Sequence, residues 1–430
     1  MSHHFRLGRQ PLLSTKLPII ELNPLVHAFL KYYTYYNYYK IKETDMTNPF
    51  KPTAGRIPPI LVGREEIIED FDYALKDGVG SPGRLMFLTG ARGVGKTVML
   101  DTLGTHAQKQ GWKVYNESAD RGFTQRLVDA LTGKDTTRIS AYDMPSVGLK
   151  GDVGNLELSL GRIELEHNEE RSLTLRQAVG KRLDKINESK QGILITLDEV
   201  QSGSMDEIRA LSTAVQHLIR EGRNIAFIFA GLPSAVNDVL SDNAITFLQR
   251  AERYHLGSVP TEKVLKAFEE SFSGEKKAGM ETLIRLTNAT HGYPFMIQLV
   301  GYWAWRVSET NGHVNQVTEE DAVKGIEKAQ AKLGDMVHAP ALHGLPSHAV
   351  NYLLAMSVDD TVSNTGEIAR RLNRSPQFAN VYRTKLIEND LIEPVGYGEV
   401  AFKMPYLRDY LREHGAYLQM RENISERSEN

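Results

Sequence analysis

The chemistry this sequence offers lies in one short stretch, Gly90-Ala91-Arg92-Gly93-Val94-Gly95-Lys96-Thr97, and in a pair of acids farther along, Asp198 and Glu199. Glycines at 90, 93 and 95 let the backbone turn so that main-chain amides face an anion at close range. Lys96 adds a cation that reaches the β and γ phosphates of a nucleotide, and Thr97 adds a hydroxyl for Mg²⁺. Val98 continues into a helix whose first turn, with unpaired N–H groups, points at the same anion. Asp198 closes the apolar run Ile193-Leu194-Ile195-Thr196-Leu197, where a carboxylate can complete the Mg²⁺ shell. Glu199 can orient an attacking water and take its proton. The chemistry implied is binding of ATP with Mg²⁺, followed by hydrolysis to ADP.

Such groups meet only if strands deliver them to one edge. The run at 84–89 reads as a strand, 96–109 as the helix after it, and "WKVYNES" as a second strand. "ILITLDEV" (193–200) and "NIAFIFAGLP" (224–233) are continuous apolar runs, as expected of strands buried on both faces, and 253–259 is a weaker fifth. Helical segments separate them, so the expected fold class is α/β, a parallel sheet covered by helices. Before the loop, Ile67, Ile68, Phe71 and Leu75 fall at helical spacing, after a proline-rich lead-in at 47–59. Residues 133–170 break the alternation. Leu156, Leu158 and Leu160 alternate with polar residues and read as a β-hairpin insertion. From 260 to about 340 the pattern is helical, with Thr261 expected to cap the first helix.

The glycine loop, an intervening strand and the acids after "ILITL" resemble the P-loop ATPases with a catalytic glutamate, and more closely the initiator-type (origin-recognition-like) AAA+ ATPases and related signal-transduction ATPases. The resemblance spans about 55–335. It implies that Val62, Gly63 and Arg64, in "PILVGREEII", flank the adenine. It implies a helical lid over 260–340, where Gly292 and Pro294 match a glycine-x-proline whose proline packs by the nucleotide. It further implies that an arginine near the fifth strand, Arg250 or Arg253, reaches the nucleotide of a neighbouring copy. One expected part is missing: the fourth strand ends in Ala230 and Gly231, which cannot sense a γ-phosphate, and Ser234 lies too far on. The expected character is therefore a slow, switch-like P-loop NTPase and not a fast motor.

Residues 345–412 resemble a winged helix-turn-helix: a helix at 347–357, a second that Thr365 can cap, a third started by Ser375 and Pro376, and a hairpin around Gly396 and Gly398. In that fold the third helix enters the DNA major groove. Arg374, Gln377, Asn380, Arg383 and Lys385 are its candidate contacts. Arg370 and Arg371 extend the basic stripe, with no acid between 368 and 387. The same unit used for protein contact, as in signalling or defence-type ATPases, is the alternative; its partner would be a second copy of the chain or another protein.

Composition sets the outer bounds. The 430 residues suffice for about two or three domains. A net charge of −3 gives no overall bias toward nucleic acid, so any such contact must be local. The absence of cysteine excludes disulfides and thiolate metal sites and fits a reducing cytoplasm. No apolar run is long enough to span a membrane. Residues 1–45, with the tyrosine-crowded "KYYTYYNYYK", read as a disordered extension or as sequence upstream of a true start at Met46, the alternative being an aromatic contact segment; 413–430 reads as a tail.

Overall fold

Both faces of the apolar runs are covered, and they form strands. The computed structural model of the chain describes residues 47–53, 61–133, 174–186 and 191–428. The extension expected over 1–45 and the hairpin expected over 133–170, save Gly133, lie outside the described residues. Five parallel strands, β1 (Leu85–Thr89), β2 (Lys113–Ser118), β3 (Ile193–Asp198), β4 (Ile225–Gly231) and β5 (Glu252–His255), make one sheet in the order β2-β3-β4-β1-β5. All four pairings are parallel. Ile193, Leu194, Ile195 and Leu197 of β3 and Ile225 through Ala230 of β4 are buried, because helices cover both sides. Phe87 of β1 stacks on Phe229 of β4 with ring centroids 4.7 Å apart.

Register brings the chemistry to one edge. Thr89 lies opposite both Gly231 and His255, and Ser118 opposite Asp198, so the strands end together at their carboxyl side. In open parallel sheets that side is where ligands bind.

The helix α1 (Glu65–Asp77) buries Ile67, Phe71, Ala74 and Leu75, one face of a helical repeat. Next come α2 (Lys96–Lys109) after β1 and α3 (Phe123–Thr132) after β2. The helices α4 (Leu175–Leu183) and α5 (Met205–Arg220) flank β3, and α6 (Pro233–Leu240) follows β4. Phe123, Leu127, Leu183, Leu211 and Val215 join the β3 and β4 side chains in one buried cluster.

Past β5 the chain is mainly helical: α7 (Thr261–Ser271), α8 (Met280–Thr290), α9 (Pro294–Thr310) and α10 (Glu319–Leu333), with a short parallel pair, β6 (Lys277–Ala278) and β7 (Gln316–Val317). Thr261 does not cap α7. Pro260 occupies the cap position and no side chain closes the turn, so Thr261 is already helical. A capping box does start α10, between Thr318 and Asp321. The described part of the lead-in, residues 47–53, is packed. Phe50 is fully buried, 5.6 Å from the Phe268 ring and 5.5 Å from the Phe272 ring. It lies on Gly301 of α9, where a Cβ would come within 2.3 Å of the Phe50 ring.

A turn of π-helix, Gly334–His338, leads into α11 (Ala339–His343). The chain continues as α12 (Ser347–Ser357), β8 (Ser363–Asn364), α13 (Thr365–Arg371), α14 (Pro376–Glu388), β9 (Ile392–Gly396), β10 (Glu399–Phe402) and α15 (Leu407–Ser428). Three helices and a hairpin thus occupy the expected ranges, and β8 adds a third strand in the order β8-β10-β9. Asn364, not Thr365, caps α13, accepting from the Gly366 amide at 2.9 Å. The Thr365 hydroxyl instead donates to the Gly398 carbonyl at 2.8 Å, tying α13 to the hairpin turn. Ser375 caps α14 by accepting from the Phe378 amide at 3.2 Å, with Pro376 at the first helical position. The expected tail is part of α15, which buries Leu407, Leu411 and Leu418. Among the described residues no helix is long and apolar enough to cross a membrane.

Candidate active site

The loop between β1 and α2 wraps the mouth of a cavity of about 310 Å³. Arg92, Gly93, Val94, Gly95, Lys96, Thr97 and Val98 line it, while Gly90 and Ala91 lie behind them. Gly93 has φ 76°, and a Cβ there would come within 2.5 Å of the Tyr293 hydroxyl oxygen. The Tyr293 hydroxyl in turn donates to the Arg92 carbonyl, so the start of α9 is pinned to the loop. Burial pushes the Tyr293 phenol well above its ordinary range, which keeps it a protonated donor.

Lys96 is buried, and its ammonium donates to the Gly90 and Ala91 carbonyls, both at 2.9 Å. Burial lowers its pKa from 10.5; the nearby Glu199 and Asp198 carboxylates oppose the shift. The Thr97 hydroxyl donates to Asp198 Oδ2 at 2.5 Å, across the gap between α2 and β3. Asp198 Oδ1 accepts from the Glu199 amide at 2.8 Å. Glu199 has φ 55°, a left-handed conformation uncommon for a residue with a side chain, and the chain turns sharply there after β3. Its carboxylate accepts from Gln201 Nε2, and both residues line the cavity.

The far end of the cavity is apolar. Leu61, Val62, Val259, Pro294, Phe295 and Ile297 line it, with Arg64 at its edge. The Arg64 guanidinium donates to the Gly257 carbonyl at 2.6 Å. Gly63 has φ 73°, and its amide donates to Glu65, which also pairs with Lys263 at 2.9 Å. Gly292 has φ 68° and accepts from the Val259 amide at 2.7 Å; a Cβ at this position would sit 2.2 Å from the Val259 oxygen, so only glycine fits. Met336, Val337 and Pro340, from the π-turn and α11, close the wall together with Lys51 and Thr53 of the lead-in.

The sequence motifs did not single out Tyr293, Gln201 or the wall at 336–340. Tyr293 lies inside the glycine-x-proline stretch, and Gln201 is the first polar side chain after the acids, so each had a local signal. The wall had none, because it comes from a segment far along the chain.

The remaining candidates lie elsewhere. Arg250 and Arg253 are exposed and do not line the cavity; Arg253 donates to the Gln249 carbonyl at 2.8 Å. Ser234 is turned toward α14, donating to Asn389 Oδ1 at 2.8 Å. On α14 and its start, Arg374, Gln377, Asn380 and Lys385 are exposed, whereas Arg383 is half-buried with an enclosed Nε. The basic stripe is partly neutralised by acids outside it: Arg370 pairs with Glu367, and Arg371 with Asp359 at 2.5 Å. Lys385 and Arg92 share a smaller cleft of about 170 Å³ with Leu232 and Met404, so the end of α14 faces the phosphate loop. Beside that cleft, Lys403 pairs with Asp390 at 2.6 Å, and His255, at the end of β5, lies 3.3 Å from the same carboxylate.

The fold is that of a P-loop NTPase, with the phosphate-cradling loop at the carboxyl edge of a parallel sheet. Residues 60–228 match the family model described as AAA ATPase domain. Residues 335–411, which begin in the π-turn, match a domain of unknown function (DUF8462). The chain has the fold of the Aeropyrum pernix ORC2 protein, solved as ADPNP–ADP complexes. The two align with a TM-score of 0.58 at 14% identity, over 86% of this chain and 97% of that one. Cdc6p from Pyrobaculum aerophilum aligns with a TM-score of 0.43 at 15% identity, over 86% of this chain and 97% of that one. The Thermotoga maritima RuvB Holliday junction branch migration motor gives 0.42 at 11%, over 82% and 95%. No curated protein matches the sequence.

Proposed function

We propose that the chain hydrolyses ATP slowly and works as a nucleotide-dependent switch, with duplex DNA contacted by the exposed face of α14. One observation carries the reading: a single cavity gathers the phosphate-cradling loop, Lys96, Thr97 bonded to Asp198, and Glu199. Thr97 and Asp198 offer two hard oxygen donors beside the loop. That set suits Mg²⁺, which takes few protein ligands and fills its octahedron with water and phosphate. Among the described residues no cluster of three or more His, Asp or Glu offers another metal site. Bound there, Mg²⁺ would supply charge neutralisation on the phosphates. Lys96 exchanges its loop carbonyls for phosphate oxygens, and Glu199 orients the attacking water and accepts its proton. Val62, Gly63, Arg64 and Pro294 flank the base. Arg250 or Arg253 would complete the site of a neighbouring copy in a homo-oligomer.

The lining of the site supports slow turnover. No polar side chain ends β4, and the lid lining (Pro294, Phe295, Ile297, Gln298) includes no cation to stabilise charge on a transferred phosphoryl group. The switch reading rests on continuity between site and output. Met336, Val337 and Pro340 belong both to the cavity wall and to the segment leading into α12–α14, whose end touches Ser234 and His255. The ion pairs of Arg370 and Arg371 favour a second reading, in which the same helices bind a protein and not DNA.

The test has two parts. Glu199→Gln should retain ATP binding and abolish turnover, since the amide cannot accept the water's proton. ATPase rate and DNA binding are then measured with duplex DNA over a range of salt and protein concentration. The DNA reading expects affinity to fall steeply with salt, each phosphate contact adding about 0.9 to the slope of log affinity on log salt. If the parent protein shows no DNA affinity with ATP, ADP or neither, the protein-partner reading replaces it.

A further inference from the structure

The end of β4 carries no side chain able to act on the site, yet its space is filled. A Cβ on Gly231 would lie 3.2 Å from Gln201 Oε1 and 3.1 Å from the Val200 Cβ. Gln201 therefore fills the space beside the end of β4, and a Cβ at position 231 would require it to give by a few tenths of an ångström. Its amide orientation follows from its partners. The Leu232 amide, just past β4, donates to Gln201 Oε1 at 3.1 Å, and a backbone N–H can only donate. Oε1 must face Leu232, so Nε2 faces Glu199, to whose carboxylate it donates. The Gln201 side chain bridges the strand end and the carboxylate, and both Gln201 and Glu199 face the cavity.

We infer that Gln201 is a positioning residue for hydrolysis: it anchors on the end of β4 and holds the Glu199 carboxylate in place beside the phosphate loop. The inference rests on the proposed role of Glu199 as base. Without the bridge, the carboxylate hangs from a residue whose backbone lies in the left-handed region.

Two variants separate positioning from support. Gln201→Glu keeps an acceptor for the Leu232 amide and replaces the donor to Glu199 with a second carboxylate. Gln201→Met keeps the length and loses both bonds. Steady-state ATPase, ATP affinity by calorimetry and thermal melting are measured for both, alongside the parent and Glu199→Gln. The expected result for both variants is a kcat lower by about tenfold or more with ATP affinity held within about twofold. Parental kcat in Gln201→Glu overturns the inference, whatever Gln201→Met does. Loss of folding in both variants also overturns it, by making the bridge structural. An active parent with an active Glu199→Gln defeats the base assignment itself, and a parent without turnover defeats the ATPase reading; the inference falls with either, and each result is distinct from a failure at Gln201 alone.

Discussion

Lowering the pH from 7 to 5 should destabilise the protein by about 2 kcal/mol through His338 alone. His338 lies in the π-turn, 1% exposed, with Nε2 2.9 Å from the Pro405 carbonyl and its ring set edge-on to Tyr410. Burial lowers its pKa from 6.5 to about 4, partly offset by that hydrogen bond. A depressed value means the folded state refuses a proton that the unfolded chain accepts between about 4 and 6.5. Stability is thus full above 6.5 and falls as pH drops through that window, by about 2 kcal/mol at pH 5 and about 3 kcal/mol below pH 4. His338→Gln keeps a donor for Pro405 and removes the titration. Urea unfolding of parent and variant at pH 7 and pH 5 isolates the difference from carboxylates, which titrate in both. Equal losses in the two proteins would refute the reasoning. Because Met336 and Val337 line the cavity, the parent should also lose nucleotide affinity over the same window, and the variant should lose less.

Lys96→Ala should abolish tight ATP binding, and calorimetry showing unchanged affinity would remove the loop from the site. In the parent, phosphate should restore the depressed Lys96 pKa toward 10.5, so binding takes up a proton at alkaline pH and weakens as pH rises through that window; heats that do not depend on buffer ionisation enthalpy would contradict this. Tyr293→Phe removes one neutral hydrogen bond to the phosphate loop and should weaken ATP by about 0.5–1.5 kcal/mol, read as Kd, with little change in melting temperature. Phe50→Ala should cost about 3–5 kcal/mol of stability, measured by denaturant unfolding, because the ring is fully buried against Phe268 and Phe272; a loss under about 1 kcal/mol would mean the lead-in does not pack.

How much of this was legible depends on whether a feature was local or assembled. Strands and their order of appearance came through well, since runs such as "ILITL" and "IAFIFA" are apolar at every position only when buried on both faces. The loop and acids were legible for the same reason: each is a short motif at a strand end, and parallel pairing brings strand ends together. Caps were less secure. Thr261 and Thr365 are good capping residues by type, but Pro260 and Asn364 take those places, a choice decided one residue away. The basic stripe looked unopposed because Glu367 and Asp359 fall outside the window that defines it. Residues from 413 on, most of α15, were read as a tail because their apolar residues are few and the helix packs on α12, far back along the chain.

The β4 terminus shows most clearly where pattern reading stops. A motif assigns a role to a position, so a strand ending in Ala230 and Gly231 reads as a site lacking one of its groups. A folded site assigns the role to a volume, and any side chain that reaches the volume can fill it. Gln201 reaches it from the turn after β3, two residues past the glutamate it touches, and the glycine that looked like an absence leaves it room. Restoring a polar residue by Gly231→Asn should therefore not improve the enzyme. Its Cβ would stand 3.2 Å from Gln201 Oε1, which must give by a few tenths of an ångström, and the amide beyond that Cβ would compete with Gln201 for the same space, so kcat should not rise. A Gly231→Asn variant with raised kcat and intact folding would show that the volume was vacant in function after all.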